Sequence, residues 1–391
     1  MTATATAGVP THAGILIIGG GIMGTSIAFH LAEAGHRDIV VVEAASLGSG
    51  SSGKPIGGVR AQFSDPTNIE LGLRSLAAYE AFASRPGGDI RLERAGYLFL
   101  LTDDVQAKLF EDSMALQHEY GVPTRMISPR EVHELCPYVP ASAVVAGSFS
   151  ALDGHARPGE AVRGYADAAR RLGVRFVTGV AVTGIDTERG AISAVETDVG
   201  TIATDTVVCA AGAWSSGIGA MVGENLPITP VKRQLAFTEP GSVTRHQIPF
   251  TLDFSTSAYF HNADEALLLG YADPAQEPGF DREWTPEWLE LFRDFARVRA
   301  PELAEARIAS GWAGLYEVTP DKNALIGRSS VTEGFFYAAG FSGHGFLQGP
   351  AVGEVMRDLV GGRTPFVDVS RFSADRFAPG ADGLVAEVNV I

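Results

Sequence analysis

The run Gly14-Ile-Leu-Ile-Ile-Gly-Gly-Gly-Ile-Met-Gly24, followed by Asp38-Ile-Val-Val-Val-Glu43, constrains the fold more than any other part of the chain. A short apolar run fit for a buried strand breaks at glycines, passes through a helix-forming segment, and returns as a second apolar run ending in an acid. Gly19, Gly21 and Gly24 supply a G-x-G-x-x-G spacing. The first permits a tight turn, the second lets backbone approach a pyrophosphate, and the third lets helix and strand pack closely. The predicted helix over 23–34 presents free N–H groups at its positive end, around Ile22 and Met23, where phosphates bind. Glu43 arrives roughly 20 residues after the first glycine, where a carboxylate accepts from ribose hydroxyls. Flexible turns share the bare glycine spacing, but here strand, helix, second strand and terminal acid coincide. An adenine-dinucleotide site follows, and this motif alone does not choose between NAD and FAD.

Composition narrows the partners. A chain of 391 residues exceeds one ordinary core, so two domains are expected. A formal net charge of −16 without any basic stripe argues against nucleic acid or an anionic membrane surface. An anionic substrate then needs a local cluster of Arg, Lys or His acting against the global field. Cys136 and Cys209 are too few and too far apart for a disulfide framework, which points to a reducing cytoplasm. No apolar run is long enough to span a bilayer, and residues 1–13 lack a secretory pattern.

After Glu43 the pattern is loop from Ser46 to Arg60, rich in Gly and Ser. Ser51, Ser52, Lys54 and Gly57 lie where a strand's carboxyl end meets ligand, with unencumbered N–H groups for phosphate or a flat ring. Asp65 and Pro66 open a helix carrying Ile69, Leu73, Leu76 and Phe82. Strand is expected over 91–101, helix over 103–120 stopped by Gly121, and irregular chain over 126–140. A second block gives helix over 160–172 and strands over 174–177, 180–186 and 191–197. Thr206–Trp214 then reads as a buried strand entering a small-residue turn, placing Ala211, Gly212 and Trp214 beside the dinucleotide, with Val182 near them. The stretch from Pro230 to Tyr271 has longer strands, and Thr285 is expected to cap a helix bearing Trp288, Phe292 and Phe295.

A third glycine cluster selects the cofactor. A strand over 334–340 leads into Phe341-Ser-Gly-His-Gly-Phe-Leu-Gln348 and a helix over 350–360. Gly340, Gly343 and Gly345 let main chain lie against a ring, Phe346 and Leu347 continue that loop, and the helix start after it offers N–H groups. A flavin gathers negative charge near N1 and the C2 carbonyl on reduction, which such a helix end stabilises. Nicotinamide has no such need, so FAD is expected.

These motifs, with Ala210-Ala-Gly-Ala-Trp214 and Leu315-Tyr-Glu-Val-Thr-Pro-Asp321, occur in the order that resembles the D-amino-acid-oxidase-like flavoproteins. Within that group the chain looks most like the sarcosine oxidase and dimethylglycine dehydrogenase branch, especially the β subunits of sarcosine oxidase and L-proline dehydrogenase. The resemblance spans nearly the whole chain. It implies an α/β (α+β overall) fold: a Rossmann-like FAD-binding domain of the glutathione-reductase-2 type, with an antiparallel-sheet substrate domain over the flavin. The implied boundaries are residues 1–88, 150–223 and 319–391 for the first, and 89–149 and 224–318 for the second. It also implies roles: Arg60 and His344 beside the flavin, and Gln234, Tyr259 and Tyr316 around the amine.

Departures from the family pattern carry their own expectations. The cysteine that attaches flavin covalently in monomeric sarcosine oxidases is Gly314 here, and the attaching histidine of dimethylglycine dehydrogenases has no counterpart beside Lys54, so FAD is expected to be non-covalent. Two cations that hold the substrate carboxylate are replaced by Leu347 and Phe63. Arg60, His344 or Lys54 then takes over the carboxylate, or the substrate is less acidic. A lysine linked to oxygen activation aligns with Leu268, favouring a dehydrogenase over a fast oxidase. The implied reaction oxidises the C–N bond of a small secondary or cyclic amine or amino acid by hydride transfer to flavin N5, giving an imine. Electrons then pass to oxygen or an acceptor protein, and partner subunits are possible. A glycine or D-amino-acid oxidase, an NAD enzyme and a non-catalytic FAD-binding assembly protein are the alternatives. No metal site is expected.

Overall fold

The computed structural model describes residues 9–54, 56–380 and 384–389. Its first sheet has six strands in the order Leu325–Arg328, Phe335–Ala339, Val207–Cys209, Ile15–Ile18, Ile39–Glu43, Arg175–Thr178. All neighbours are parallel except the Leu325–Arg328 edge. The continuous apolar run of the first strand is explained by what covers each face. Ile15 and Ile17 pack among the helices Ile22–Glu33, Pro158–Arg171 and Gly345–Val360. Leu16 and Ile18 face Ile185, Val195 and Ile202 of a three-stranded sheet built from residues 182–203. Both faces are dry, so neither parity needs a polar residue.

The second sheet has eight strands: Ile308–Val318, Thr229–Thr238, Ala266–Tyr271, Ala258–Ala263, Phe250–Asp253, Tyr97–Leu101, Ala146–Ser150, Arg125–Ile127. It is antiparallel apart from the Phe250–Asp253 and Tyr97–Leu101 pair, which runs parallel. Leu98, Leu100, Phe260 and Leu269 pack against Phe292 and Phe295 of the Trp288–Arg299 helix. The opposite parity, Tyr97, Phe99, Leu235, Tyr259 and Leu268, forms the face nearer the site.

Several local expectations change. Residues 126–140 are not irregular: Pro129–Leu135 is a helix, closed by a reciprocal Ser128–Glu131 capping box. The strand expected over 91–101 is confined to Tyr97–Leu101. Thr285 does not cap the Trp288–Arg299 helix; its N–H instead donates to Gln234 Oε1 at 2.8 Å.

The last helix starts at Gly345, not at residue 350, and runs through Pro350. Proline has no N–H, so the Phe346 carbonyl loses its partner four residues on. The Tyr79 hydroxyl replaces it, donating to Phe346 O at 2.7 Å. A buried tyrosine on the Pro66–Glu80 helix therefore lets the helix begin five residues earlier than a proline rule allows, at the loop that matters most.

Candidate functional site

Site geometry begins at the glycine turn. Gly19 has φ 113°, and a Cβ there would meet the Ala210 carbonyl at 2.3 Å, so the turn demands glycine. A Cβ on Gly24 would lie 1.9 Å from Gly19 O, the close helix–strand packing expected of the third glycine. The Ile22–Glu33 helix has no cap from its own N-cap residue; Ser52 Oγ, across the loop, accepts from Ile22 N at 2.9 Å. Glu43 Oε2 accepts from Gly20 N and Oε1 from Ala45 N, both at 2.8 Å, and each oxygen retains a lone pair for a hydroxyl.

From this turn a cavity of about 600 Å³ runs between the two large sheets. One end is walled by Gly19, Gly21, Ile22, Met23, Glu43, Ser51 and Ser52, with Val182, Ala211, Gly212 and Trp214 alongside. The other end is walled by Lys54, Gln234, Tyr259, Tyr316, Gly343, Gly345 and Phe346. A smaller cavity of about 30 Å³ abuts it, sharing Tyr316, Gly343 and Phe346, and adds Gly57, Arg60, His344 and Leu347. Of the sequence candidates, Gly24 and Gly340 reach neither wall; both act as packing and turn residues.

The space suits an elongated dinucleotide. Two helix N-termini, at Ile22 and Gly345, open toward it. Gly343 has φ 98°, and a Cβ there would sit 2.6 Å from the Tyr316 ring, so main chain itself forms that wall. Pyrophosphate suits the first helix end and an electron-accepting ring suits the second.

Around the small cavity the polar groups are tightly engaged. Arg60 is 3% exposed and lies over Phe63 at 4.1 Å. Its guanidinium donates to Gln62 O, to Asn389 O at 2.6 Å and to His344 Nε2 at 3.2 Å. Because a guanidinium only donates, His344 Nε2 is the acceptor and the ring proton sits on Nδ1. Burial, and then Arg60, hold His344 well below the usual imidazole range, so the ring is neutral. Arg60 thus has its donors committed to protein acceptors, although it was a candidate for holding a substrate carboxylate. Gln234 is likewise engaged with Thr285, though it lines the cavity. Tyr259 is buried beneath Gly270, and its hydroxyl is pushed well up by burial.

Glu317 and Arg233 are among the cavity residues that escaped the sequence reading. Glu317 lies on the cavity wall and accepts from Gly340 N at 3.1 Å. Burial pushes its carboxyl up to about 7, against the backbone N–H groups of Gly340 and Phe341 that favour ionisation. An acid inside the apolar Leu315–Val318 run was the available signal. Arg233, adjacent to Gln234, also lines the cavity. Among the described residues no group of three or more His, Cys, Asp or Glu could hold a metal ion.

A mostly parallel sheet with a glycine crossing, a cavity leading from it and a second helix end against a covering sheet together define a flavin-dependent redox protein. The chain belongs to the FAD-dependent oxidoreductase family of the D-amino-acid-oxidase type, which matches residues 14–359. It is similar to 4-methylaminobutanoate oxidase (formaldehyde-forming) of Paenarthrobacter nicotinovorans, 30% identical over 96% of this chain and 47% of that protein. The chain therefore spans about half the length of that relative, and 44% of the mouse mitochondrial dimethylglycine dehydrogenase, with which it shares 27% identity over 93% of its own length. Among solved structures, L-proline dehydrogenase from P. horikoshii superposes with a TM-score of 0.89 at 35% identity, covering 95% of this chain and all of that one. Among the described residues no helix is long and apolar enough to cross a membrane.

Proposed function

We propose that the chain binds FAD non-covalently and oxidises the C–N bond of a small secondary or cyclic amine or amino acid to an imine. The observation that carries this reading is the continuous cavity joining the Gly19–Met23 helix start to the Gly343–Phe346 helix start beneath Tyr259 and Tyr316. Similarity to amine-oxidising relatives supports the substrate class. Non-covalent attachment is supported by the larger cavity's wall, which carries neither cysteine nor histidine among the described residues. The division into a discontinuous FAD-binding domain and a substrate domain is supported by the two large sheets, which draw on separate stretches of chain.

When bound, FAD supplies the hydride acceptor. The residues supply the rest. The start of the Gly345–Val360 helix places N–H groups and a positive dipole end beside the ring position. Tyr259, Tyr316 and Leu235 exclude water and favour the neutral form of an amine. The Arg60–His344 pair fixes the loop before that helix, with a neutral imidazole presented to the small cavity. Burial raises the Glu317 carboxyl to about 7, so its oxygen is suited to hold or release a proton. Electrons leave to oxygen or to an acceptor protein; Leu268, buried in the apolar sheet face, provides no cation for superoxide and favours the acceptor. A cytoplasmic setting is in keeping with two buried, unpaired cysteines, Cys136 and Cys209.

The test is anaerobic mixing of the purified yellow holoprotein with N-methyl, cyclic and D-amino acids. Bleaching of the flavin by a secondary or cyclic amine supports the reading. FAD that no amine reduces, or a colourless protein that takes up no FAD, removes it. Acid precipitation separates the attachment question, since non-covalent FAD leaves with the supernatant.

A further inference from the structure

Among the described residues, three cations on the cavity wall, Lys54, Arg233 and Arg282, form no ion pair. Lys232 and Arg233 are neighbours on the Thr229–Thr238 strand and therefore point to opposite faces. Lys232 pairs with Asp281 at 2.5 Å. Arg233 turns to the cavity, where its guanidinium lies 5.3 Å from the centre of the Tyr316 ring. Nη1 donates to Lys232 O at 3.1 Å, Nε is buried with no acceptor, and among the described residues Nη2 has none either. Across the sheet Arg233 pairs with Gly314, which contributes no side chain, and a Cβ at Gly314 would meet Lys54 Cβ at 3.0 Å. Lys54 lines the same cavity and, among the described residues, forms no ion pair. Acids are not scarce: the chain has 46 Asp and Glu against 30 Lys and Arg. The two acids on the cavity wall are engaged with backbone N–H groups, Glu43 with Gly20 and Ala45, and Glu317 with Gly340. A guanidinium with an unmet Nε and Nη2 is short of a planar, two-oxygen acceptor.

We propose that Arg233, with Lys54 beside it, anchors the carboxylate of the substrate, so that the amine oxidised is an amino acid and not a neutral amine. This rests on the amine-oxidation reading for what the substrate becomes, but not for what Arg233 binds. Arg60 cannot take this role without giving up Asn389 O, Gln62 O or His344. Arg233 can take it while keeping its one bond to Lys232 O.

The test uses FAD-loaded protein and the variants Arg233→Gln and Arg233→Lys. Proline and prolinamide are compared as substrates, and pyrrole-2-carboxylate is titrated as a non-reacting probe, read by flavin absorbance and by calorimetry. The expected result is that Arg233→Gln lowers the kcat/KM ratio of proline to prolinamide by about 10- to 100-fold and weakens pyrrole-2-carboxylate to a similar degree, as for one lost charge-assisted interaction. Arg233→Lys should recover part of that binding. An unchanged ratio and unchanged probe affinity overturn the proposal, as does a loss confined to FAD affinity, which would assign Arg233 to the cofactor. Wild-type protein that binds the probe through Arg233 but is reduced by no amine leaves the anchor standing and removes the reaction. If the wild type binds no small carboxylate, the anchor is wrong even where prolinamide reduces the flavin.

Discussion

Among the described residues Arg60 forms no ion pair in the interior, and main-chain carbonyls, a neutral imidazole and the Phe63 ring share the task of meeting its charge. Replacing it with alanine leaves Gln62 O, Asn389 O and His344 Nε2 without a donor, all in dry surroundings. Arg60→Ala should therefore lower stability by about 3 kcal/mol, read as a shift in the urea midpoint. A midpoint equal to wild type would show that water replaces the guanidinium at little cost. Glu317 makes a pH-dependent contribution of definite sign. Burial raises its carboxyl from 4.5 to about 7, so between these values the folded state holds a proton that the unfolded state has lost. Its effect on stability is absent below pH 4.5, grows unfavourable as pH rises through the window, and is constant above about 7. Apoprotein bearing Glu317→Gln should lack this component. The stability difference between variant and wild type should grow by on the order of 3 kcal/mol across that window. Parallel pH profiles would place the Glu317 titration outside it.

At the scale of elements, the Gly345–Val360 helix shows how one distant hydroxyl sets a boundary. Pro350 withdraws an N–H from Phe346 O, and Tyr79 returns a donor. Tyr79→Phe should cost about 1–2 kcal/mol, the penalty of a buried carbonyl left unpaired. Pro350→Ala restores the helical donor, so in that background Tyr79→Phe should cost less. Unfolding of the four proteins closes the cycle, and additive effects would refute the substitution of one donor for the other. This element also marks where the sequence was and was not legible. The Gly19–Gly24 crossing, the helix over 103–120 and the strand joining at Val207–Cys209 were readable because period, glycine position and caps agreed locally. The helix start at Gly345 was not, because its enabling partner lies at residue 79. Helix Pro129–Leu135 carried its own signature in Ser128 and Glu131, and the three prolines at 129, 137 and 140 obscured it. At the site the residue types were legible, whereas their duties depended on neighbours remote in sequence. The engagement of Arg60 by Asn389 and of Gln234 by Thr285 could not be foreseen from spacing.

For the whole molecule, the segment 384–389 joins parts of the site that the sequence holds far apart. Glu387 Oε1 accepts from Ser64 N at 2.9 Å, Ser64 Oγ at 2.6 Å and Asn389 N at 3.0 Å, while Oε2 accepts from Asn68 Nδ2 at 3.1 Å. Asn68 in turn donates to Asn323 Oδ1 at 2.8 Å and accepts from Gln348 Nε2 at 2.9 Å. One buried carboxylate thus ties the Pro66–Glu80 helix, the turn before the Leu325–Arg328 strand and the Gly345–Val360 helix to the chain that supplies Asn389 O to Arg60. Networks of this kind stabilise when every member is satisfied and lose more than one bond when a member is removed. Glu387→Ala should leave Ser64 and Asn68 short of acceptors and release Asn389, lowering stability by about 2–4 kcal/mol. The effect should extend to the site. FAD affinity, measured by fluorescence during reconstitution of the apoprotein, should fall as the Gly343–Phe346 loop loses its Arg60 brace. A double variant with Arg60→Ala should then cost less than the two singles added together, because both act on the same Asn389 contact. Additive losses, or a Glu387→Ala protein that binds FAD as wild type does, would confine the network to local packing and separate it from the redox site.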